Sequence, residues 1–136
     1  MKKQLANAKK IYTIDTGLAN SVSFQFSENF GRQLENVVFL ELKRRGNEIF
    51  YHKYECDFLC RQKQKITEAI QVCQSLENES TRKRELRGLI EAMQDYKLES
   101  GYIITEDEED TIHGDGLSIR VLPAWKWLLG YEGGDI

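Results

Sequence analysis

Little in this chain of 136 residues could staple it, break it or carry it into a membrane. It has one proline, three cysteines and two histidines. An odd number of cysteines with no export signal argues against a disulfide framework and for reduced thiols. Cys56 and Cys60 are spaced C-x3-C and Cys73 stands apart, while His52 and His113 form no pair at zinc-ligand spacing. No apolar run approaches the roughly 20 residues of a membrane helix. The start, Met1-Lys2-Lys3-Gln4, lacks the apolar stretch of a signal peptide. The sequence therefore predicts a cytoplasmic protein with no membrane partner.

What is present suits one folded domain. The chain is 40% hydrophobic and 30% charged, a balance that excludes collagen-like and disordered classes and supports a core without staples. The net charge of -3 speaks against a protein that coats nucleic acid by bulk electrostatics. That average hides an asymmetry: residues 1–90 carry 16 basic and 11 acidic side chains, whereas residues 91–136 carry 3 and 11. Basic clusters lie at Lys9-Lys10, Lys43 to Arg45, Arg61 to Lys65 and Arg82 to Arg87, and Glu106 to Asp110 is acidic. Local phosphate contacts remain open to such a chain; sequence-blind binding driven by charge alone does not.

Periodicity gives the order of elements. Ile11 to Ile14 reads as a strand ending at the turn Asp15-Thr16-Gly17, and Ser21 to Asn29 as a loop. Leu34, Val37, Val38 and Leu42 recur at helical spacing, and Gly46 follows as a stop, predicting a helix over Gly31 to Arg45. Glu48 to Lys53, Tyr54 to Cys60 and Ile66 to Gln74 read as an antiparallel meander. Ser80 and Thr81 offer N-caps for a second helix carrying Leu86, Leu89, Ile90 and Met93 on one face. Tyr102 to Thr105 and Ser118 to Leu122 are strands around an acidic, solvated hairpin tip, and Pro123 opens a short helix through Trp127. The fold class is α/β (α+β), in the order β-α-β-β-β-α-β-β-α. Leu34, Val38, Phe58, Ile70, Val72, Leu89, Ile103 and Val121 are expected to be buried.

Strand alternation selects candidate chemistry. With Cys56, Phe58 and Cys60 on one face, Glu55 and Asp57 share the other. There they can lie beside Gln71 and Cys73, and Glu35, near the start of the first helix, is expected to reach the same pocket. A purely structural account competes at each position: a carboxylate early in a helix is favoured by the dipole alone, Asp57 can accept backbone hydrogen bonds, and Cys73 lacks a well-placed base and suits a small buried hydrophobe. Arg82, Lys83, Arg84 and Arg87 stand at the start of the second helix, where the dipole disfavours cations, so an anionic partner competes with a solvated face. Trp125 and Trp127 are expected to pack.

These positions carry a family resemblance. Ile11-Tyr12-Thr13-Ile14-Asp15-Thr16-Gly17-Leu18, then Leu34-Glu35-Asn36-Val37-Val38-Phe39-Leu40-Glu41-Leu42, then Glu55-Cys56-Asp57-Phe58, and finally Leu122-Pro123-Ala124-Trp125-Lys126-Trp127-Leu128-Leu129 resemble the uncharacterised C-terminal domain of prokaryotic AAA-type ATPases. The resemblance implies a PD-(D/E)XK nuclease-like domain over 11–129, with a restriction-endonuclease-like mixed sheet flanked by helices. It also implies a linker remnant at 1–10, and the break in composition at Gly130 marks a flexible tail over 130–136. In that family a helix glutamate, a strand aspartate and a (D/E)-x-K hold a divalent metal that activates water at a phosphodiester. Glu35 matches the first and Asp57 the second, and both would be the metal ligands; Gln71-Val72-Cys73 falls on the (D/E)-x-K.

The departure removes one negative and one positive charge together. A neutral amide and a thiol are poor partners for Mg2+; Lys53 shares strand parity with Glu55 and Asp57 and is a candidate substitute, against the reading of a lysine at a strand end as simply solvated. No G-x4-G-K-[ST] occurs, so an ATPase module is expected elsewhere, upstream or as a separate partner. The resemblance implies an accessory domain with a degenerate site at Glu35, Asp57, Gln71 and Cys73, non-catalytic and without cofactor. It would serve as a binding module, with DNA or RNA among its partners. The alternative is a nuclease dependent on Mg2+ or Mn2+.

Overall fold

The computed structural model describes residues 2–3, 27–52 and 56–130. The expected strand Ile11 to Ile14, the loop residues 21–26, the positions Lys53 and Glu55, and the tail beyond Gly130 lie outside these residues.

Helix α1 (Ser27–Arg44) starts one turn earlier than expected and takes in Ser27 to Asn29. The reason is Phe30, which stands four residues before Leu34, packs against the same core and extends the apolar stripe by a turn. At the other end the N–H of Gly46 donates to Lys43 O and that of Asn47 to Leu42 O, a Schellman closure with Gly46 at φ +90°. Strands β2 (Glu48–His52), β3 (Cys56–Gln62) and β4 (Lys65–Val72) form the anticipated antiparallel meander. Lys2–Lys3, designated β1, pairs along the outer edge of β2.

Helix α2 (Glu79–Asp95) is capped by Asn78, whose Oδ1 accepts from Thr81 N at 3.1 Å, so the cap precedes the expected Ser80 and Thr81. It carries the chain from β4 to β5 (Ser100–Thr105), which lies parallel to β4. Besides β1, which falls within the expected linker 1–10, a second strand was not anticipated. Asp110–Gly114 forms β6, an edge strand antiparallel to β7 (Leu117–Pro123), and β7 in turn is parallel to β5. The hairpin tip is therefore Asp115-Gly116, with φ of 51° and 78°, the two-residue turn that such a dipeptide favours. The acidic stretch is a connection instead. Helix α3 (Ala124–Leu128) follows Pro123. Among the described residues the sheet runs β1-β2-β3-β4-β5-β7-β6, a mixed α/β architecture.

Helices cover both faces. Leu34, Val38, Phe39 and Leu42 of α1, with Trp127 of α3, pack on Phe58, Ile70, Ile104 and Leu122. On the other face Leu89, Ala92 and Met93 of α2 pack on Leu59, Ala69, Ile103 and Val121. All eight residues expected in the core are buried. Trp127 is buried as expected, but Trp125 is 53% exposed, because two residues of helix turn it away from the sheet.

Candidate functional site

Strand β4 decides which candidates can meet. Ile70 and Val72 enter the core beneath α1 and α3, so Ala69 and Gln71 point toward α2. Gln71 is fully buried. Its Nε2 donates to Glu85 O on α2 at 3.0 Å, and its Oε1 accepts from the backbone N–H of Asp57 at 2.8 Å. Asp57 reciprocates across the same gap, its Oδ2 accepting from Val72 N at 2.8 Å. The paired register of β3 and β4 ends at Phe58 and Ile70, and beyond it these side chains join the strands.

Cys73 lies next in line, half-buried, with its thiol donating to Ser75 O at 3.1 Å. Burial pushes the thiol up to about 11, and the carboxylates of Glu85 and Asp57 add to the shift while Arg84 opposes it. It is neither a thiolate near neutrality nor a ligand suited to Mg2+.

Two placements differ from the sequence reading. Glu35 is in the third turn of α1, not the first, so the helix dipole does not explain it. It is carried by α1, which packs on the face opposite to the one toward which Gln71 points, while hydrogen bonds join Asp57 to the Gln71–Val72 stretch and Cys73 follows directly on that strand. Cys56 is the second. Instead of sharing a face with Phe58 and Cys60, it joins the core beneath α2, with Sγ 3.6 Å from Phe58 O and 3.7 Å from Ile70 O. The β2–β3 register shifts between Phe50 and His52, opposite this point, and the simple alternation is lost there.

Among the described residues no group of three or more His, Cys, Asp or Glu side chains is arranged to hold a metal ion. Gln71 uses both ends of its amide on the protein, and one Asp57 oxygen is committed to Val72. These residues, as they stand, do not fit a Mg2+ centre, which needs several free hard oxygens in octahedral geometry.

The basic group on α2 is partly neutralised. Arg82 Nη2 is 4.0 Å from Asp110 Oδ2 and Arg84 Nε is 3.6 Å from Glu85 Oε2, whereas Lys83 and Arg87 are exposed. The acidic connection is not simply solvated. Glu108 accepts from Ser75 Oγ at 2.7 Å and from Leu76 N at 2.8 Å, fastening the loop after β4 to the loop after β5. Glu109 pairs with Lys126, which is buried on α3. Sequence reasoning missed Glu108 and Lys126; the apolar run around Lys126 was the signal that its ammonium would need a partner.

The chain is 43% identical over 143 residues to a protein of Methanocaldococcus jannaschii named only uncharacterized protein MJ1544. The match takes in 96% of this chain and 31% of that protein, so the chain spans about a third of the length of its curated relative. No family model matches the chain. No solved structure matches it either.

Proposed function

We propose that this chain is a nuclease-like accessory domain of an AAA-type ATPase that has exchanged metal chemistry for a structural lock and acts as a binding module. The observation that carries this reading is the reciprocal attachment of Asp57 and Gln71, which commits the side chains at the would-be metal site to joining β3, β4 and α2. The mixed sheet with helices on both faces agrees with it, as does the occurrence of a similar segment within a relative about three times longer. The exposed Lys83 and Arg87 supply positive charge for a nucleic-acid partner.

The test is calorimetric titration of Mn2+ into the wild type and Asp57→Ala, followed by cleavage assays on single- and double-stranded DNA and RNA. The expected result is no metal binding at millimolar concentration and no cleavage. Binding that disappears in Asp57→Ala, accompanied by cleavage, would overturn the reading in favour of a metal-dependent nuclease. Loss of all nucleic-acid affinity at low salt would leave protein partners, the ATPase module first among them, as the object of binding.

A further inference from the structure

The face of the sheet beneath α1 and α3 changes character along β5 and β7. In register across the strands stand Ile70, Tyr102, Arg120 and Thr111, and in the next row Ser100, Ser118 and His113. Residues paired across strands share a face and bring their Cβ atoms to about 5 Å. Tyr102 packs against the apolar cluster and marks its edge. Beyond it, Arg120 is surrounded on this face by Tyr102 on β5, Thr111 on β6 and Ser118 two residues back on its own strand.

Arg120 is an unusual residue to find there. It lies on β7, with strands on both sides, and its Nε is buried with no hydrogen-bond partner among the described residues. Native proteins rarely leave a buried donor unsatisfied, and a guanidinium is the donor best matched to oxyanions. Tyr102, Thr111 and Ser118 add hydroxyls that can donate from three strands. A guanidinium fork alone satisfies the two oxygens of a carboxylate; hydroxyls on either side of it suit the additional oxygens of a tetrahedral group.

We propose that Arg120, Tyr102, Thr111 and Ser118 form a phosphate-binding site on this face of the sheet. The site does not rest on the accessory-domain reading, and it lies on the opposite face from Gln71 and Cys73. Its phosphate comes either as a small phosphate ligand or as the phosphodiester backbone of a nucleic acid.

The test is a 1H–15N NMR titration of the whole chain with sodium phosphate, against sodium chloride at matched ionic strength. Saturable shifts are expected at the amides of Tyr102, Thr111, Ser118 and Arg120 with phosphate and not with chloride. Arg120→Gln should weaken phosphate about tenfold or more, the loss that a charge-assisted hydrogen bond commands. Thr111→Val, on the exposed edge strand, should weaken it by a smaller factor and keeps the test valid if Arg120→Gln fails to fold. A parallel titration with single-stranded oligothymidylate identifies the source: saturation of the same amides at lower phosphate concentration means a phosphodiester backbone, and a response to the free ion alone means a small ligand. Shifts that match chloride, or that persist unchanged in both variants, would overturn the site.

Discussion

The backbone N–H of Asp57 donates to the side chain of Gln71, and the side chain of Asp57 accepts the N–H of Val72, both at 2.8 Å, so one residue at the start of β3 and one at the end of β4 take the place of the regular ladder. Through Glu85 O the same amide holds α2 to the sheet. A role of this kind makes demands that a catalytic role does not. Asp57→Asn keeps an oxygen acceptor for Val72 and should stay within about 1 kcal/mol of wild type, whereas Asp57→Ala should cost about 1–3 kcal/mol. Gln71→Ala orphans the Asp57 N–H, removes the tie to Glu85 O and leaves a cavity, and should cost about 2–4 kcal/mol. Urea unfolding checks the order. Equal loss in Asp57→Asn and Asp57→Ala would mean that the carboxylate's charge, not its acceptor, is what the fold uses.

Cys73 should be a slow nucleophile. Its thiol is raised from 9.0 to about 11, first by burial and then by Glu85. Below pH 9 both folded and unfolded chains hold the proton, and the stability associated with it is fully present; as pH climbs from 9 through 11 the unfolded chain ionises first and that stability is lost. Iodoacetamide labelling followed by peptide mapping should give a Cys73 rate that still rises beyond pH 10. A plateau near pH 9 would show an ordinary exposed thiol and return Cys73 to the list of candidate nucleophiles.

Much of this arrangement was legible in the sequence, and the failures have identifiable causes. Periodicity located Leu34, Val38, Ile70, Val72 and Leu89 in the core, because burial on one face imposes a spacing that polar residues cannot imitate. Gly46 announced the helix end through its backbone freedom. Strand β6 was invisible: within Asp110–Gly114 only Ile112 is apolar, and an edge strand open to solvent needs no alternation. The pairing of Asp57 with Gln71 is legible from strand parity, whereas the place of Glu35 in the third helical turn is not, since it depends on the extra turn that Phe30 adds to the apolar stripe. Glu108 was hidden in an acidic run whose partners, Ser75 and Leu76, lie more than thirty residues away.

Acid should unfold the protein partly through Glu41. Its carboxylate accepts from Arg44 at 2.8 and 2.6 Å and from Arg45 at 2.8 Å. The Arg44 hydrogen bond is the first cause of a fall from 4.5 to about 2; burial opposes it and Arg45 reinforces it. A lowered value means stability that is complete above pH 4.5 and lost as pH falls through about 2. Glu41→Gln should flatten the stability profile across that window in acid titrations followed by circular dichroism. High salt should shrink the effect, because Arg44 is 71% exposed and easily screened. A profile unchanged by the substitution would assign the acid sensitivity to other carboxylates.

Lys126 and Glu109 should respond unequally to substitution. Lys126 is 3% exposed on α3, while the Glu109 side chain that pairs with it is 45% exposed. Removing the carboxylate leaves a buried ammonium without its counter-charge, whereas removing the ammonium leaves a carboxylate that water can reach. Glu109→Gln should therefore cost about 2–3 kcal/mol, and Lys126→Met, which keeps the volume and drops the charge, should be within about 1 kcal/mol of wild type. In the double variant most of the Glu109→Gln loss should be recovered, giving a coupling that thermal and urea unfolding can measure. The reverse order would show that Lys126 holds α3 through contacts other than its charge. Equal small effects would mean that water reaches the ammonium and that the acidic connection is a solvated loop after all.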